Sequence, residues 1–437
     1  MCQKIIDYFK DKKILVLGYG REGKSTFAFL RRNFPEMKIF VADKNPVSIE
    51  DDNAELISGE NYLDCIGDFD LVMQSPGITL RDIEIPENTE ITGQMDLFLR
   101  FASCYKIGIT GTKGKSTTTT LIYNVLKEAG KKCFIMGNIG TPVFDMLPEA
   151  EGSYAVIEMS CHQLEFSKAS PEIAVFTNLY PEHLDHYRGF EGYKNAKLNI
   201  VKFQNENDLL IAGSELRSSL KTELSNIKSK IMYVSENDGD RDSFLGSLCN
   251  INKYLIGENG RQDSFFAAAV GRYLGVDESS IFNAVKNFKG IPHRLEEVGT
   301  FGGITFFNDS IATIPRAVQS NIKALGNVDT LIFGGLDRGI DYGEFISFLE
   351  ESPVKNLIGL PDTGYKIIDE LRRGKAEKNT FKADTMDEAV KKAYEVTSPG
   401  KICLFSPAAA SYNRYKSFEE KGSHYKSLCK SLGEQKV

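Results

Sequence analysis

The chain has 437 residues, 41% of them hydrophobic and 26% charged, with a formal net charge of −7. That is a soluble globular composition, and the length exceeds what one hydrophobic core supports, so several domains are expected. No apolar run of about 18 residues and no charged-then-apolar leader occurs, which argues against a membrane partner or an export signal and points to the cytoplasm; no Lys/Arg run interleaved with aromatics occurs either, which argues against nucleic acid as the main partner.

The eight cysteines, Cys2, Cys65, Cys104, Cys133, Cys161, Cys249, Cys403 and Cys429, are scattered without a C-x-x-C pair. Neither a disulfide scaffold nor a zinc site is favoured, and reduced thiols are expected.

Residues 1–95 read as a small α/β unit. Lys13 to Leu17 is a buried-type strand, followed by GYGREG, a helix through Phe29, and a second strand from Lys38 to Ala42 that ends in Asp43. Gly18, Gly20 and Gly23 spell G-x-G-x-x-G with an acid 20 residues past the last glycine, a dinucleotide-binding fingerprint when read alone. An NAD-dependent dehydrogenase is therefore a competing reading, although the same turn serves any ligand whose phosphates rest on a helix N-terminus. A third strand, Asp70 to Met73, runs into the loop Ser75, Pro76, Gly77 at a strand's carboxyl end, where open α/β sheets bind ligands.

A second unit begins near Met95. Its strand Tyr105 to Thr110 enters Gly111, Thr112, Lys113, Gly114, Lys115, Ser116, Thr117, with a helix expected over Thr118 to Ala129. Strand, glycine loop and helix N-terminus make a phosphate-binding loop: backbone N–H groups surround a polyphosphate, Lys115 is a mobile cation and Ser116 a Mg²⁺ ligand. The loop is a compressed variant, because Ile109 stands where the usual pattern has its first glycine. An ordinary turn explains the glycines but not the lysine and the three hydroxyls Ser116, Thr117 and Thr118 at the helix entrance.

Phosphoryl transfer needs further anionic ligands for Mg²⁺. Glu158, directly after the apolar strand Tyr154 to Ile157, is the best placed; a solvated strand end is the bland alternative. Strand Ile173 to Thr177 leads into NLYPEHLDHY, which holds His183 and His186, two of only five histidines. H-x-x-H without a third ligand at a familiar spacing is a poor zinc site, yet a hard-metal site can use one His. Helix Tyr193 to Phe203 carries Lys197, which by spacing alone is a solvent-facing lysine. Residues 214–246 are polar with helix-like and loop-like patches, and helices Ser264 to Leu274 and Glu278 to Asn287 close this unit.

A third unit starts near Thr300 and again alternates strands (Ile304 to Asn308, Thr330 to Phe333, Ile402 to Phe405) with amphipathic helices. Parallel, doubly wound architecture is expected for all three. FNDSIA (307–312) suits ribose or phosphate, GGLDRG (334–339) offers Arg338 as a carboxylate clamp, and SPAAAS (406–411) opens a helix toward an anion. Each of these signals is weak alone, since turns use the same residues.

Taken in order, ITGTKGKST (109–117), GNIG (137–140), VIEMSCHQLE (156–165), NLYPEHLDHY (178–187), YKNAKLNI (193–200), PHR (292–294), NDS (308–310), GGLDRG and SPAAAS resemble the Mur ligase family over nearly the whole chain. The resemblance implies an α/β protein of three domains: a Rossmann-like UDP-sugar domain (1–95), a central P-loop ATPase-type parallel-sheet domain (96–299), and a Rossmann-like C-terminal domain for the incoming amino acid (300–437). Length and the reading GTKGKST favour the member of the family that adds D-glutamate to UDP-N-acetylmuramoyl-L-alanine, with ATP, through an acyl phosphate, as a monomer in cytoplasmic peptidoglycan precursor synthesis.

By the same resemblance GYGREG, with Gly20, Asp43, Ser75 and Gly77, cradles the uridine diphosphate and not NAD, while Asn138, Ser160 and Gln163 hold the sugar substrate. Lys115 contacts the ATP phosphates, with Ser116 and Thr117 near a first Mg²⁺. Glu158 and His183 are metal ligands, the latter for a second Mg²⁺, and Lys197 is the lysine that family members carbamylate. Arg294 and Asp309 match nucleotide contacts, and Arg338, Ser411 and Phe418 bind D-glutamate. Three features depart from the family pattern: the adenine segment offers Asn259, Gly260 and Asp263 in place of its usual HN pair and later Asn, Glu22 stands where some relatives have a small hydroxyl residue, and Ile311 where some have a lysine. Folate polyglutamate synthase, the sister Mur ligases and a non-catalytic nucleotide-binding module are the other readings.

Overall fold

The computed structural model describes residues 3–138, 141–182, 186–187, 189–255, 257–337, 339–374, 377–411 and 414–434. The chain divides into two compact units, Met1–Phe288 and Lys289–Val437. The first holds two sheets and the second holds one.

The first sheet comprises β1 (Ile14–Leu17), β2 (Ile39–Asp43), β3 (Ala54–Ser58), β4 (Leu71–Gln74) and β5 (Glu90–Thr92) in the order β3-β2-β1-β4-β5. All its pairings are parallel. β1 and β4 are buried at every residue, as apolar runs are when both faces of a parallel sheet are covered. Strand order reverses at β1, so the loops after β1 and β4 lie side by side at the sheet's carboxyl edge.

The second sheet comprises β6 (Tyr105–Thr110), β7 (Cys133–Gly137), β8 (Tyr154–Glu158), β9 (Ile173–Phe176), β10 (Leu209–Gly213) and β11 (Lys230–Val234), in the order β11-β10-β9-β6-β8-β7 and wholly parallel. β6 lies between β8 and β9, which brings the phosphate loop, the segment from Glu158 and the segment from Thr177 to one edge. Each fully buried Ile, Val or Phe contributes about 1.5–3 kcal/mol on burial, and β9 is buried throughout. The polar run 214–246 contributes β11, an edge strand in which Lys230 and Met232 are exposed. With one face open to solvent, its apolar signal is halved.

In the second unit β12 (Glu296–Phe301), β13 (Ile304–Asn308), β14 (Val328–Phe333), β15 (Asn356–Gly359), β16 (Asn379–Lys382) and β17 (Ile402–Phe405) form the sheet β12-β13-β17-β14-β15-β16. It corrects the expectation of a wholly parallel sheet, because β12 pairs antiparallel with β13. The cause is local: Gly302 and Gly303, at φ +56 and +77, make the two-residue left-handed turn that matches strand twist in a hairpin. The remaining pairings are parallel. Here β17 separates β13 from β14, so the loops after these three strands converge. Three mainly parallel sheets follow one another along the chain, each with loops gathered at a carboxyl edge. Among the described residues no helix is long and apolar enough to cross a membrane.

Candidate active site

The phosphate loop is held from both sides. Gly111 has φ +145, and a Cβ there would lie 1.9 Å from Thr177 Oγ1; Gly114 has φ +83. The left-handed turn at Gly114 lets the helix begin at once, so it spans Lys115–Glu128 and not the expected Thr118–Ala129. Lys115 and Ser116 thus sit in its first turn, where N–H groups and the dipole favour an anion. The backbone N–H groups of Thr112 and Lys113 donate to Asn178 Oδ1 at 3.2 and 2.8 Å. Thr177 Oγ1 donates to Lys113 O at 2.7 Å, and Thr112 Oγ1 is 2.9 Å from the Tyr193 hydroxyl. Lys115 Nζ folds onto its own loop, donating to Gly111 O at 2.9 Å and Thr112 O at 3.0 Å.

Glu158 is 1% exposed, so the solvated strand end is excluded. Register places it beside Ile109 of β6 and Gly137 of β7. Its Oε1 accepts from Asn138 Nδ2 at 2.7 Å, whereas Oε2 is buried and without a hydrogen-bond partner. A buried carboxylate oxygen without a partner is rare, and a cation or donor brought by a ligand would complete it. Among the described residues no three His, Cys, Asp or Glu side chains converge; the oxygen donors of Glu158 and Ser116 are of the hard kind that Mg²⁺ takes.

Lys197 overturns the reading from spacing: on helix Phe190–Lys202 it faces inward and is 1% exposed. Its Nζ donates to Gly111 O at 2.7 Å and lies 3.4 Å from Thr110 Oγ1. Burial, and then the like charge of Lys115, push its pKa down to about 7. One carbonyl, that of Gly111, therefore receives two lysines. His183 lies outside the described residues.

The first-domain cradle is equally tight. Gly18 has φ +88, and a Cβ on Gly23 would lie 1.8 Å from Gly18 O. Ser75 Oγ donates to Gly18 O at 2.9 Å, tying the two loops together. Gly20 caps helix Arg21–Asn33, and both it and Gly77 face open space. Asp43 Oδ2 accepts from Tyr19 N at 2.8 Å and Oδ1 from Asn45 N at 2.9 Å, so this acid braces its own loop. Ser160 and Gln163 form a reciprocal capping box on helix Cys161–Leu164. Gln163 also hydrogen-bonds the Glu22 carboxyl, whose pKa burial raises to about 7. The phosphate-loop side and the diphosphate side of this unit are thereby linked through one side chain.

The former adenine segment belongs to helix Gly257–Tyr273, which starts earlier than the pattern implied. Asp263, 7% exposed, accepts from Thr118 Oγ1 at 2.9 Å, and a Cβ on Gly114 would lie 2.6 Å from its Oδ1. A carboxyl thus backs directly onto the phosphate loop, and burial raises its pKa to about 7.

In the second unit Asp309 is 1% exposed and saturated: it accepts from Ser406 Oγ and Asn321 Nδ2, each at 2.6 Å, and from Leu295 N at 3.2 Å. Arg294 is exposed between His293 and Leu295, which adopt φ +66 and +42. His293 N donates to Glu296 Oε2 at 2.9 Å. Ser411 is 2% exposed, with its Oγ buried and unpartnered. Phe418 opens helix Phe418–Glu434, its ring 6.0 Å from that of His293. Arg338 lies outside the described residues.

The loop after β6 thus gathers Gly111 through Thr117, Glu158, Asn138 and Lys197. Sequence reasoning missed Asn178, the residue that fixes the loop backbone; its signal was an amide directly after an apolar strand. It also missed Lys421, a helix lysine by pattern that is 2% exposed.

A phosphate loop with a buried carboxylate and a buried lysine behind it, set among α/β domains, is matched by two family descriptions: Mur ligase middle domain over residues 109–260, and Mur ligase, glutamate ligase domain over residues 293–409. The chain belongs to the Mur ligase family and is an enzyme, a ligase. Among its relatives are the UDP-N-acetylmuramoylalanine--D-glutamate ligases of Clostridium acetobutylicum, 32% identical over 98% of both chains, and of Acetivibrio thermocellus, 32% identical over 99% of this chain and 100% of that one. Similar solved structures include a MurF ligase from Thermotoga maritima in complex with ADP (17% identity, TM-score 0.53, 97% of this chain and 95% of that one) and MurF from Acinetobacter baumannii (16%, 0.54, 96% and 90%). At that identity they establish the fold.

Proposed function

We propose that this ligase joins D-glutamate to UDP-N-acetylmuramoyl-L-alanine with ATP, forming ADP, phosphate and the new amide, in cytoplasmic peptidoglycan precursor synthesis. The observation that carries the proposal is the phosphate loop around Gly111 and Lys115 with the unpartnered Glu158 Oε2 and the buried Lys197 beside it. The names of the relatives support the substrates.

ATP phosphates rest on the N–H groups of Gly111–Thr117, and Lys115 Nζ leaves its loop carbonyls for them. The substrate's alanyl carboxylate attacks the γ-phosphorus and ADP departs. The acyl phosphate is then attacked by the amine of D-glutamate, and phosphate leaves as the amide forms. Glu158, Ser116, His183 and Lys197 would hold Mg²⁺, which supplies neutralisation of phosphate charge. The Glu158 oxygen without a partner fits that use. For Lys197 the fitting species is a carbamate: the neutral amine adds CO₂ and loses a proton, turning a cation into a carboxylate. The low pKa of Lys197 keeps a share of that neutral amine near pH 7.

Gly20, Ser75, Gly77 and the helix start at Arg21 take the diphosphate, with Asp43 bracing the loop, and Asn138, Ser160 and Gln163 take the sugar moiety. In the second unit Arg294 and Asp309 serve the nucleotide, and Arg338, Ser411 and Phe418 serve D-glutamate. The test is phosphate release from ATP and Mg²⁺ with UDP-N-acetylmuramoyl-L-alanine across a panel of D- and L-amino acids. Release with D-glutamate is expected; none with D-glutamate removes this assignment.

A further inference from the structure

Lys421 stands out among the charged groups that the proposed chemistry leaves unused. It lies in the first turn of helix Phe418–Glu434 and is 2% exposed. Among the described residues its one hydrogen bond runs from Nζ to Gly334 O at 2.8 Å, and the Phe405 ring centroid is 5.6 Å away. An ammonium has three donors, and among the described residues no carboxylate pairs with this one. Taking a charged lysine out of water without a counter-ion is costly, so such a group gives up its proton more readily or is completed by an anion. Burial alone pulls its pKa down to about 8.

Its position is equally telling. Gly334 N donates to Pro407 O and Leu336 N to Ala410 O, each at 2.8 Å, so the loops after β14 and β17 are stitched together where strand order reverses. The point where a Cβ on Gly335 would sit is 2.3 Å from Ala410 O and 3.3 Å from Lys421 Nζ, which locates the ammonium at this seam. The next residue is Ser411, whose Oγ is buried without a partner. A buried cation and a buried, unpartnered hydroxyl thus lie on adjoining segments at the carboxyl edge of an α/β sheet, where such sheets take ligands. Lys421 also lines a cavity of about 230 Å³. The acids on that cavity are engaged: Asp384 accepts from the Tyr365 hydroxyl at 2.6 Å, and Asp387 is 3.6 Å from His424.

We infer that Lys421 is the specificity-determining cation for the side-chain carboxylate of the incoming amino acid, with the Ser411 hydroxyl as a second donor. This rests on the proposed D-glutamate reading. The α-carboxylate is one carbon from the nucleophilic amine, which must stay open to its reaction partner. The side-chain carboxylate reaches further, and the deeply set cation suits it. Ile311, two residues after Asp309, leaves that neighbouring loop without a cation for the same task.

The test measures kcat/KM of the full-length enzyme and its Lys421→Met and Lys421→Arg variants with D-glutamate and D-glutamine, at saturating ATP and UDP-N-acetylmuramoyl-L-alanine. Loss of a charge-assisted pair lowers kcat/KM for D-glutamate by about 100-fold in Lys421→Met. D-Glutamine should be affected by no more than about threefold, with the KM for ATP unchanged, so that selectivity collapses; Lys421→Arg recovers much of it. An equal loss for both amino acids means Lys421 only props the Gly334 carbonyl and overturns the inference, as does no loss for either. Absence of D-glutamate-dependent turnover in the unmodified enzyme removes the functional reading, and this inference with it.

Discussion

Asp263→Asn is expected to stabilise the enzyme at neutral to alkaline pH and to remove the Asp263 contribution to the pH dependence of ADP binding. Asparagine keeps the acceptor for Thr118 Oγ1 and fills the same space behind Gly114, so the change removes charge alone. Burial raises the folded pKa of Asp263 from 3.8 to about 7. Between those values the native state holds a proton that the unfolded chain has released, so stability falls as pH rises from about 4 to 7. Below that window both states are protonated and the carboxyl carries no penalty. Above it the folded protein contains a desolvated carboxylate, and the difference amounts to roughly 4 kcal/mol as an upper bound. Urea unfolding of both proteins at pH 4 and pH 8 reads this directly: similar midpoints at pH 4, with the variant clearly more resistant at pH 8. Calorimetric titration with ADP should show the unmodified protein losing affinity above pH 7 relative to the variant, since a carboxylate against the loop repels phosphate. Parallel pH profiles for the two proteins, in both measurements, would refute the reasoning.

Gly111→Ala should abolish detectable ADP binding by calorimetry, because a Cβ 1.9 Å from Thr177 Oγ1 at φ +145 forces the loop open; retained binding would show that the loop tolerates it. Gly23→Ala should raise the KM for the UDP-sugar while leaving that for ATP unchanged, since its Cβ would press within 1.8 Å of Gly18 O. Lys197→Ala should lose turnover and regain part of it with formate or acetate, which replace the missing carboxylate; full activity without additive would end the carbamate role.

The strands most legible in the sequence are those with a continuous apolar run between turn residues: β1, β6, β8 and β9. Such runs carry their own burial, so the phosphate loop and Glu158 could be placed at one sheet edge before any contact was known. What stayed hidden depends on partners far away in the chain. Lys197 follows an ordinary helix pattern, and only the Gly111 carbonyl 86 positions earlier explains its inward face. Lys421 likewise answers to Gly334, 87 positions away. Edge strands fared worst. β11 exposes alternate residues, and β12 is exposed or half-buried throughout, its direction set by two glycines and not by its own composition.

The left-handed backbone at His293 and Leu295 makes the surface position of Arg294 an interior property. Such φ values in non-glycine residues cost about 1–3 kcal/mol each and persist only where the surroundings over-determine them. Here the restraint is the Asp309 carboxylate beneath Leu295 N, itself pinned by Ser406 and Asn321. A substitution at Ser406 or Asn321, neither of which need touch nucleotide, would loosen the same peg and let the guanidinium swing away. An exposed arginine can thus be retuned, by drift or by design, from three positions on three different segments, two of them buried.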